Sequence, residues 1–193
     1  MNQNKHAKGF TLVELLVVVL IVGILASFGV TEYKKVIEHS RASEAVNLLR
    51  ALYVAEEAHF LARGEYASSL DDLDLSFQGE KKACVAGQSK TPCVGYYNTD
   101  EVWNKEWAIG LEGGKNPSIS VMRIKGPYQG TGFFMQLNRK DGVQYPLKKF
   151  ACVESNVGKK YKGKTHSYCV DIMDAEYYQN SGNNVRKYAI VWQ

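Results

Sequence analysis

Glu14 is the one charged side chain inside a long apolar run, and its role depends on where that run lies. The run covers residues 10–30, and its other polar side chains are Thr11 and Ser27. An ionised carboxylate in hydrocarbon costs on the order of 2.5 to 3.5 kcal/mol, so such a charge usually has a partner. The alternative is a position near the membrane interface, where Glu14 is partly hydrated and merely tolerated.

The apolar run is long enough to cross a membrane. A helix of its length rises about 30 Å, the thickness of a bilayer's hydrocarbon core. Lys5, His6 and Lys8 precede it and no acidic residue does. The positive-inside rule therefore leaves the N-terminus in the cytoplasm and exports the rest of the chain. A secretory signal cleaved near Ala26-Ser27 is the weaker interpretation, because the run is too long for one.

The residues at the start of the run resemble a known kind of leader peptide. Residues 8–14 read KGFTLVE and are followed by uninterrupted apolar sequence, which closely resembles the class III leader of type IV pilins and type II secretion pseudopilins. The resemblance implies that a prepilin peptidase cuts after Gly9 on the cytoplasmic side and methylates the new amine of Phe10. The apolar segment then stays in the mature protein.

This processing would give Glu14 a partner. The amine of Phe10 becomes a cation at the end of an apolar helix, and Glu14 is the anion nearest to it in sequence. In a bundle of such helices, the amine of one subunit and the Glu14 carboxylate of its neighbour would neutralise each other, whereas either alone would be penalised. We therefore expect Phe10 and Glu14 to set the register of assembly.

Two glycines, Gly23 and Gly29, interrupt the apolar run. The pilin family commonly has a glycine at the first of these positions and a proline at position 31, with a helix that can loosen between them in the fibre. Here position 31 is Thr31. The stretch between the glycines is then the candidate for local melting, since each costs up to about 1 kcal/mol relative to alanine. Close helix packing through small residues explains the glycines equally well.

The rest of the chain predicts an α+β head. Beyond the span, apolar residues recur every three or four positions as far as about Arg63, and Gly64 follows as a C-cap. An Asp141-Gly142 step predicts a β-hairpin. Short apolar stretches predict strands at residues 107–111, 119–124, 133–137, 143–153 and 188–192.

The expected architecture is the type IV pilin fold. A long N-terminal helix, transmembrane in its first half and amphipathic in its second, packs on an antiparallel sheet of four to five strands. We expect a cleaved leader (residues 1–9), a transmembrane and fibre-core half-helix (10–31), and a globular head (32–193) that includes the amphipathic helix to about residue 63.

Four cysteines lie in the head and predict disulfides. They occur in even number downstream of an export signal and contain no CxxC pair, which favours disulfides over zinc. Three pairings are possible, and sequence proximity favours Cys84 with Cys93 and Cys152 with Cys169. These bonds imply an oxidising compartment.

No other pattern points to a metal, a cofactor or catalysis. The four histidines are scattered, and Asp71, Asp72 and Asp74 lack the spacing of a calcium loop, so we interpret them as capping or solvated residues. A late basic region is either a solvated surface, the simpler interpretation, or a DNA-binding face. Its candidate residues are Lys159, Lys160, Lys162 and Lys164.

The leading hypothesis is a non-enzymatic subunit that polymerises into a type IV pilus and supports adhesion, motility or DNA uptake. The alternative is a pseudopilin of a type II secretion system. Expected partners are copies of the chain itself, a prepilin peptidase and the assembly machinery of the inner membrane, with DNA as an open possibility. The protein is expected in the inner membrane first, with one span, and then in an extracellular pilus or a periplasmic pseudopilus.

Overall fold

The computed structural model describes residues 9–83, 100–138, 147–155, 168–181 and 185–189. A 52-residue helix begins the described fold, and a short 3-10 helix, Leu70–Asp72, follows it. The remaining described elements are strands. Their bounds are α1 Leu12–Arg63, β1 Glu80–Ala83, β2 Asp100–Trp103, β3 Trp107–Glu112, β4 Ser118–Arg123, β5 Thr131–Gln136, β6 Ala151–Ser155, β7 Glu176–Ser181 and β8 Val185–Ala189.

Two compact units divide the chain, Met1–Glu38 and His39–Gln193. The first contains the apolar half of α1, whose side chains from Phe10 to Val30 are all exposed in the isolated chain. The second contains the amphipathic half of α1 and the sheet. In this half, the buried residues recur every three or four positions, which is one face of a helix. They are Ala42, Ala45, Val46, Leu49, Leu52 and Glu56.

The C-terminus of α1 is set by a glycine, as the sequence predicts. Gly64 has φ +78°, a left-handed conformation that costs glycine little. Its N–H donates to the Phe60 carbonyl at 2.8 Å, which satisfies one of the free carbonyls of the last turn. The helix therefore stops at Arg63 and the chain turns away from its axis.

The eight described strands form one antiparallel sheet in the order β1-β2-β3-β4-β5-β6-β8-β7. Each of the first six pairs with its sequence neighbour, and only the last two strands exchange places. β5 and β6 are antiparallel neighbours, as predicted for the strands on either side of Asp141-Gly142. The predicted Asp141-Gly142 turn itself lies outside the described residues.

Strands β3, β4 and β5 are buried on both faces. One face packs with α1 in the main core, where Trp107, Ile109 and Phe133 are at most 1% exposed. The other face carries a second, smaller cluster that includes Met122 and Phe134. Strands buried on both sides are continuously apolar. This is why the sequence alone indicates these three strands with nearly correct bounds.

The predicted α+β class is confirmed, but the predicted strand count was too low. The sequence did not indicate β1, β2 or β7, because the first two are short and charged and the third is polar. β1 and β7 are the two edges of the sheet. An edge strand is held by its backbone ladder on one side, so it needs no apolar signature.

Two predicted strand bounds were also wrong. Of the predicted strand 143–153, residues 143–146 lie outside the described residues, residues 147–148 form a turn, and β6 begins only at Ala151. Lys148 has φ +57°, which no strand accommodates, and its N–H donates to the Gln136 carbonyl at 2.8 Å. The last predicted strand begins earlier than expected, at Val185, because its pairing with β6 starts there; its predicted end lies outside the described residues.

A disulfide closes the loop between β6 and β7. Cys152 and Cys169 are bonded, the pairing that sequence proximity favours. The buried carboxylate of Glu154 accepts hydrogen bonds from the N–H groups of Tyr168 and Cys169, both at 3.1 Å. The covalent bond and these two hydrogen bonds hold the turn at residues 168–175 against the core. The other predicted pair, Cys84 and Cys93, lies outside the described residues.

Replacing Cys152 and Cys169 together by serine should lower the free energy of unfolding by about 3 kcal/mol, because a loop of 17 residues then opens in the unfolded chain. Urea unfolding of the detergent-solubilised protein, followed by tryptophan fluorescence, measures this. All three tryptophans follow the apolar helix, so the signal reports the head alone. A loss below about 1 kcal/mol would contradict the prediction.

Gly132 allows β5 to approach β4 closely. A Cβ at this position would lie 2.1 Å from the Val121 carbonyl oxygen and 2.7 Å from the Met122 Cα, both backbone atoms that cannot move aside. Gly132→Ala should therefore lower the free energy of unfolding by about 3 kcal/mol, the upper end for an overpacked core. The same urea experiment tests it. Gly29→Ala is the matched control, because the Cβ added there would meet nothing within 4 Å. Equal midpoints for the two variants would refute the steric argument.

Candidate functional site

The segment from Gly9 to Glu14 forms a defined helix start. Helix α1 begins at Leu12 and is preceded by Thr11. The Thr11 hydroxyl oxygen accepts from the Glu14 N–H at 3.2 Å, and Glu14 Oε2 accepts from the Thr11 N–H at 2.8 Å. The Thr11 carbonyl accepts the first helical bond, from the Leu15 N–H. Together these bonds form a capping box with Thr11 as the N-cap.

Glu14 is therefore partnered inside its own chain. The Thr11 hydroxyl also donates to Glu14 Oε2, at 2.8 Å, so two donors serve this one oxygen. The carboxylate lies in the first turn of the helix, where the unsatisfied N–H groups and the helix dipole favour negative charge. The other oxygen, Oε1, has no hydrogen-bond partner among the described residues. Glu14 can thus cap its own helix through Oε2 and still accept a hydrogen bond from a cation through Oε1.

Thr11 is the functional residue that the sequence analysis missed. The predicted partners of the Glu14 charge were a cation on a neighbouring chain or water at the membrane interface, and not a residue of its own chain. The local signal was present, because a threonine three positions before a glutamate at the start of an apolar run is the sequence signature of a capping box.

Gly9 and Phe10 lie just outside the helix. Neither has helical conformation, and the Phe10 ring is 90% exposed. The peptide bond between them is therefore not protected by helical hydrogen bonds. The structure places this bond within one turn of the Glu14 carboxylate.

The apolar half of α1 leaves a large hydrophobic surface uncovered. Leu12, Leu25 and Phe28 are all more than 60% exposed in the isolated chain. By length and composition α1 is the one helix among the described residues that is able to cross a membrane. Contiguous apolar surface of this extent needs lipid or other protein against it.

Gly23 and Gly29 lie within the continuous helix α1, without a break at either position. A Cβ at either position would meet nothing within 4 Å. No contact within the isolated chain therefore requires a glycine there. Local melting and close packing against another helix both remain predictions.

The structure also bears on the predicted acidic residues and on the predicted basic face. Asp72 is a capping residue, as expected, because its carboxylate accepts from the Ser69 N–H at 3.0 Å and closes the capping box of the 3-10 helix. Within the described ranges, no group of three or more His, Cys, Asp or Glu side chains is arranged to hold a metal ion. The predicted basic face lies outside the described residues: Lys159, Lys160, Lys162 and Lys164.

Fold and site together define a class of protein: a chain with a capped apolar helix near its N-terminus and a disulfide-containing α+β head built on the continuation of that helix. Comparison with known families agrees. Residues 4–30 match the family model described as the prokaryotic N-terminal methylation motif.

Known proteins with similar sequences are pilins and fimbrial proteins. The chain is 37% identical over 73 residues to the type IV major pilin protein PilA of Myxococcus xanthus. This match covers 38% of the present chain and 33% of that protein. It is 37% identical over 73 residues to a fimbrial protein of Pseudomonas aeruginosa. This match covers 38% of the present chain and 47% of that protein. It is 51% identical over 47 residues to the type IV major fimbrial protein FimA of Dichelobacter nodosus. This match covers 24% of the present chain and 29% of that protein.

Over these stretches the chain is similar to proteins of the type IV pilin family. The matched stretches span less than half the length of each of these relatives. No solved structure matches the chain significantly. The likeness to the relatives thus covers part of the chain only.

Thr11→Ala should fray the first turn of α1, because it removes the hydroxyl that both accepts from and donates to Glu14. Loss of an N-cap typically costs about 1 kcal/mol, so protection of the Glu14 and Leu15 amides, which both donate to Thr11, should fall about fivefold. Hydrogen exchange of the full chain in detergent micelles, read by NMR, measures this. Thr11→Ser keeps the hydroxyl and is the matched control; equal protection in both variants would argue against the capping box.

Proposed function

We propose that this protein is a structural subunit of a type IV pilus. The observation that carries the proposal is a leader motif followed directly by a capped, exposed and wholly apolar helix that continues into a folded head. A chain with this order can be stored in a membrane and later moved, apolar helix first, into the core of a fibre. The similarity to proteins named as major pilins and fimbrial proteins supports the same conclusion.

Processing at the leader prepares the subunit. We infer that a prepilin peptidase cuts the bond between Gly9 and Phe10 and that the new amine of Phe10 is methylated. Residues 1–9 are then the leader, residues 10–31 the span and later fibre core, and residues 32–193 the exported head. The exposed, non-helical Gly9-Phe10 segment supports this, as does the match to the methylation motif.

Assembly then depends on the Glu14 carboxylate. In the apolar helix bundle of a fibre, the amine of Phe10 on an incoming subunit is attracted to Glu14 of a subunit already in place. The capping box occupies Oε2 of Glu14 and leaves Oε1 as the acceptor for this amine. The pairing cancels two charges that would each be costly in hydrocarbon, and it fixes the axial position of the new subunit.

The partners and compartments follow from this scheme. Copies of the chain are the main partner, and the peptidase and the assembly machinery of the inner membrane act before and during polymerisation. The precursor would cross the inner membrane once, with its N-terminus in the cytoplasm, and the head would lie outside, where the disulfide between Cys152 and Cys169 can persist. We favour an extracellular pilus over a periplasmic pseudopilus because the relatives bear pilin and fimbrial names.

Substitutions at Glu14 separate its two roles. Glu14→Ala removes both cap and charge, whereas Glu14→Gln keeps an oxygen that can accept from the Thr11 N–H but removes the charge. We expect both variants to insert into the membrane normally and to reduce surface filaments at least about tenfold, a loss of roughly 1.4 kcal/mol or more per subunit added. Electron microscopy and immunoblotting of sheared filaments measure this. Normal filaments from Glu14→Gln would show that charge pairing does not drive assembly.

Mass spectrometry of sheared filaments tests the proposal as a whole. The chain should be a main component, should begin at methylated Phe10, and should contain the bond between Cys152 and Cys169. Filaments that lack the chain, or a chain in cells that retains residues 1–9, would overturn it.

A further inference from the structure

Glu56 is a carboxyl group fully buried near the C-terminal end of α1. Its exposed fraction is 0%. One oxygen, Oε2, accepts from the N–H of Ala67 at 3.0 Å, in the segment that follows the helix. The other oxygen, Oε1, is buried and has no hydrogen-bond partner among the described residues. A buried carboxylate in this state would be poorly compensated, whereas a protonated carboxyl group is much less costly.

His59 lies one turn further along the same helix and also contacts the segment. Its Nδ1 is 2.9 Å from the Glu65 carbonyl oxygen. A carbonyl can only accept, so Nδ1 carries the hydrogen, and in the neutral ring Nε2 is an acceptor. Nε2 is buried and has no partner among the described residues either. Glu56 Oε1 and His59 Nε2 are thus complementary groups, one able to hold a proton and the other able to accept a hydrogen bond, three positions apart on one helix.

The segment that these side chains hold is short and closely packed. The Tyr66 hydroxyl donates to Glu57 Oε1 at 3.0 Å, and its ring stacks on Phe60 with 4.7 Å between centroids. On the opposite side, a Cβ on Gly113 would lie 2.8 Å from the Ala67 carbonyl oxygen. Residues 65–67 therefore lie in contact with both the last turns of α1 and the turn after β3.

We propose that Glu56 and His59 form a proton-operated clasp, which holds residues 65–67 against α1 while Glu56 is protonated and loosens when Glu56 ionises. While the His59 ring is neutral, the proton on Oε1 can reach Nε2 through one water molecule, because the structure shows no direct hydrogen bond between these two atoms. Ionisation leaves a negative charge in the contact between α1 and the segment, and the segment opens to let water reach it. The clasp does not rest on the proposed fibre function, because it concerns the head alone.

Charged and titratable neighbours of Glu56 lie on α1 itself and on the 3-10 helix that follows it. Burial raises the pKa of Glu56 to about 7, while the Ala67 N–H and the nearby His59 lower it and Asp72 and Glu57 raise it further. The Lys148 ammonium lies on Glu57 Oε2 at 2.8 Å and offsets the charge of that residue. The balance leaves Glu56 protonated in an appreciable fraction of molecules at neutral pH.

The direction of the pH effect follows from this raised pKa. The closed clasp binds the proton more tightly than the open segment, in which Glu56 returns to its ordinary value of 4.5. The stabilisation of the closed form is therefore full below pH 4.5, declines as the pH rises to about 7, and is then constant. Between pH 5.5 and 8.5, the opening constant of the segment should rise about 30-fold.

Hydrogen exchange with mass spectrometry tests the clasp on the full-length protein in detergent. Protection factors at pH 5.5, 7.0 and 8.5, corrected for the intrinsic pH dependence of exchange, are compared for a peptide covering residues 64–70 and for reference peptides from β3 and β4. Protection of the segment should fall about 30-fold across this range while the strands change little. In Glu56→Gln, which is neutral at every pH, the segment should show no such fall.

The matched control is Glu57→Gln, which weakens the contact with Tyr66 but leaves Glu56 in place. Its segment should be less protected overall and should keep the pH response. A flat profile in the wild-type protein, or an unchanged response in Glu56→Gln, would overturn the proposal. If Glu56→Gln fails to fold, an NMR titration of the Glu56 carboxyl carbon in the wild-type protein decides: a midpoint near 4.5 contradicts the clasp, and one near 7 supports it.

Discussion

The apolar surface of the first half of α1 is the constraint on which the rest of the molecule depends. From Phe10 to Val30 this helix exposes its side chains on every side in the isolated chain, so water is an unfavourable environment for it at any stage. Lipid can cover it, and so can copies of the same helix. In the function proposed above, the helix passes from the first cover to the second, and its capped start at Thr11 and separately folded head fit that passage.

The second half of the same helix solves a different problem. Its buried face is one stripe, from Ala42 to Glu56, and packs on strands that are themselves buried on both faces. This face gives the head a core of its own. The disulfide between Cys152 and Cys169 and the hydrogen bonds of Glu154 fix the loop between β6 and β7 to that core. One continuous helix thus belongs to two units with separate sources of stability.

Two glutamates on α1 illustrate how one residue type takes different roles. Glu14 lies in the first turn, where the Thr11 N–H and hydroxyl stabilise its charge. Glu56 lies near the end, buried, with the single N–H of Ala67 for its two oxygens, so burial raises its pKa. The first environment favours the ionised carboxylate, and the second favours a carboxyl group that keeps its proton.

The sequence by itself determined the N-terminal motif, the apolar first half of α1, the end of α1 at Gly64 and the central strands, because each depends on local composition, periodicity or a single glycine. Only the tertiary structure decided the charged edge strand β1, the turn at Lys148 and the burial of Glu56. Edge strands form because a neighbour offers a backbone ladder, and burial depends on what packs above a side chain. Both are contacts between residues distant in sequence, and no local pattern records them.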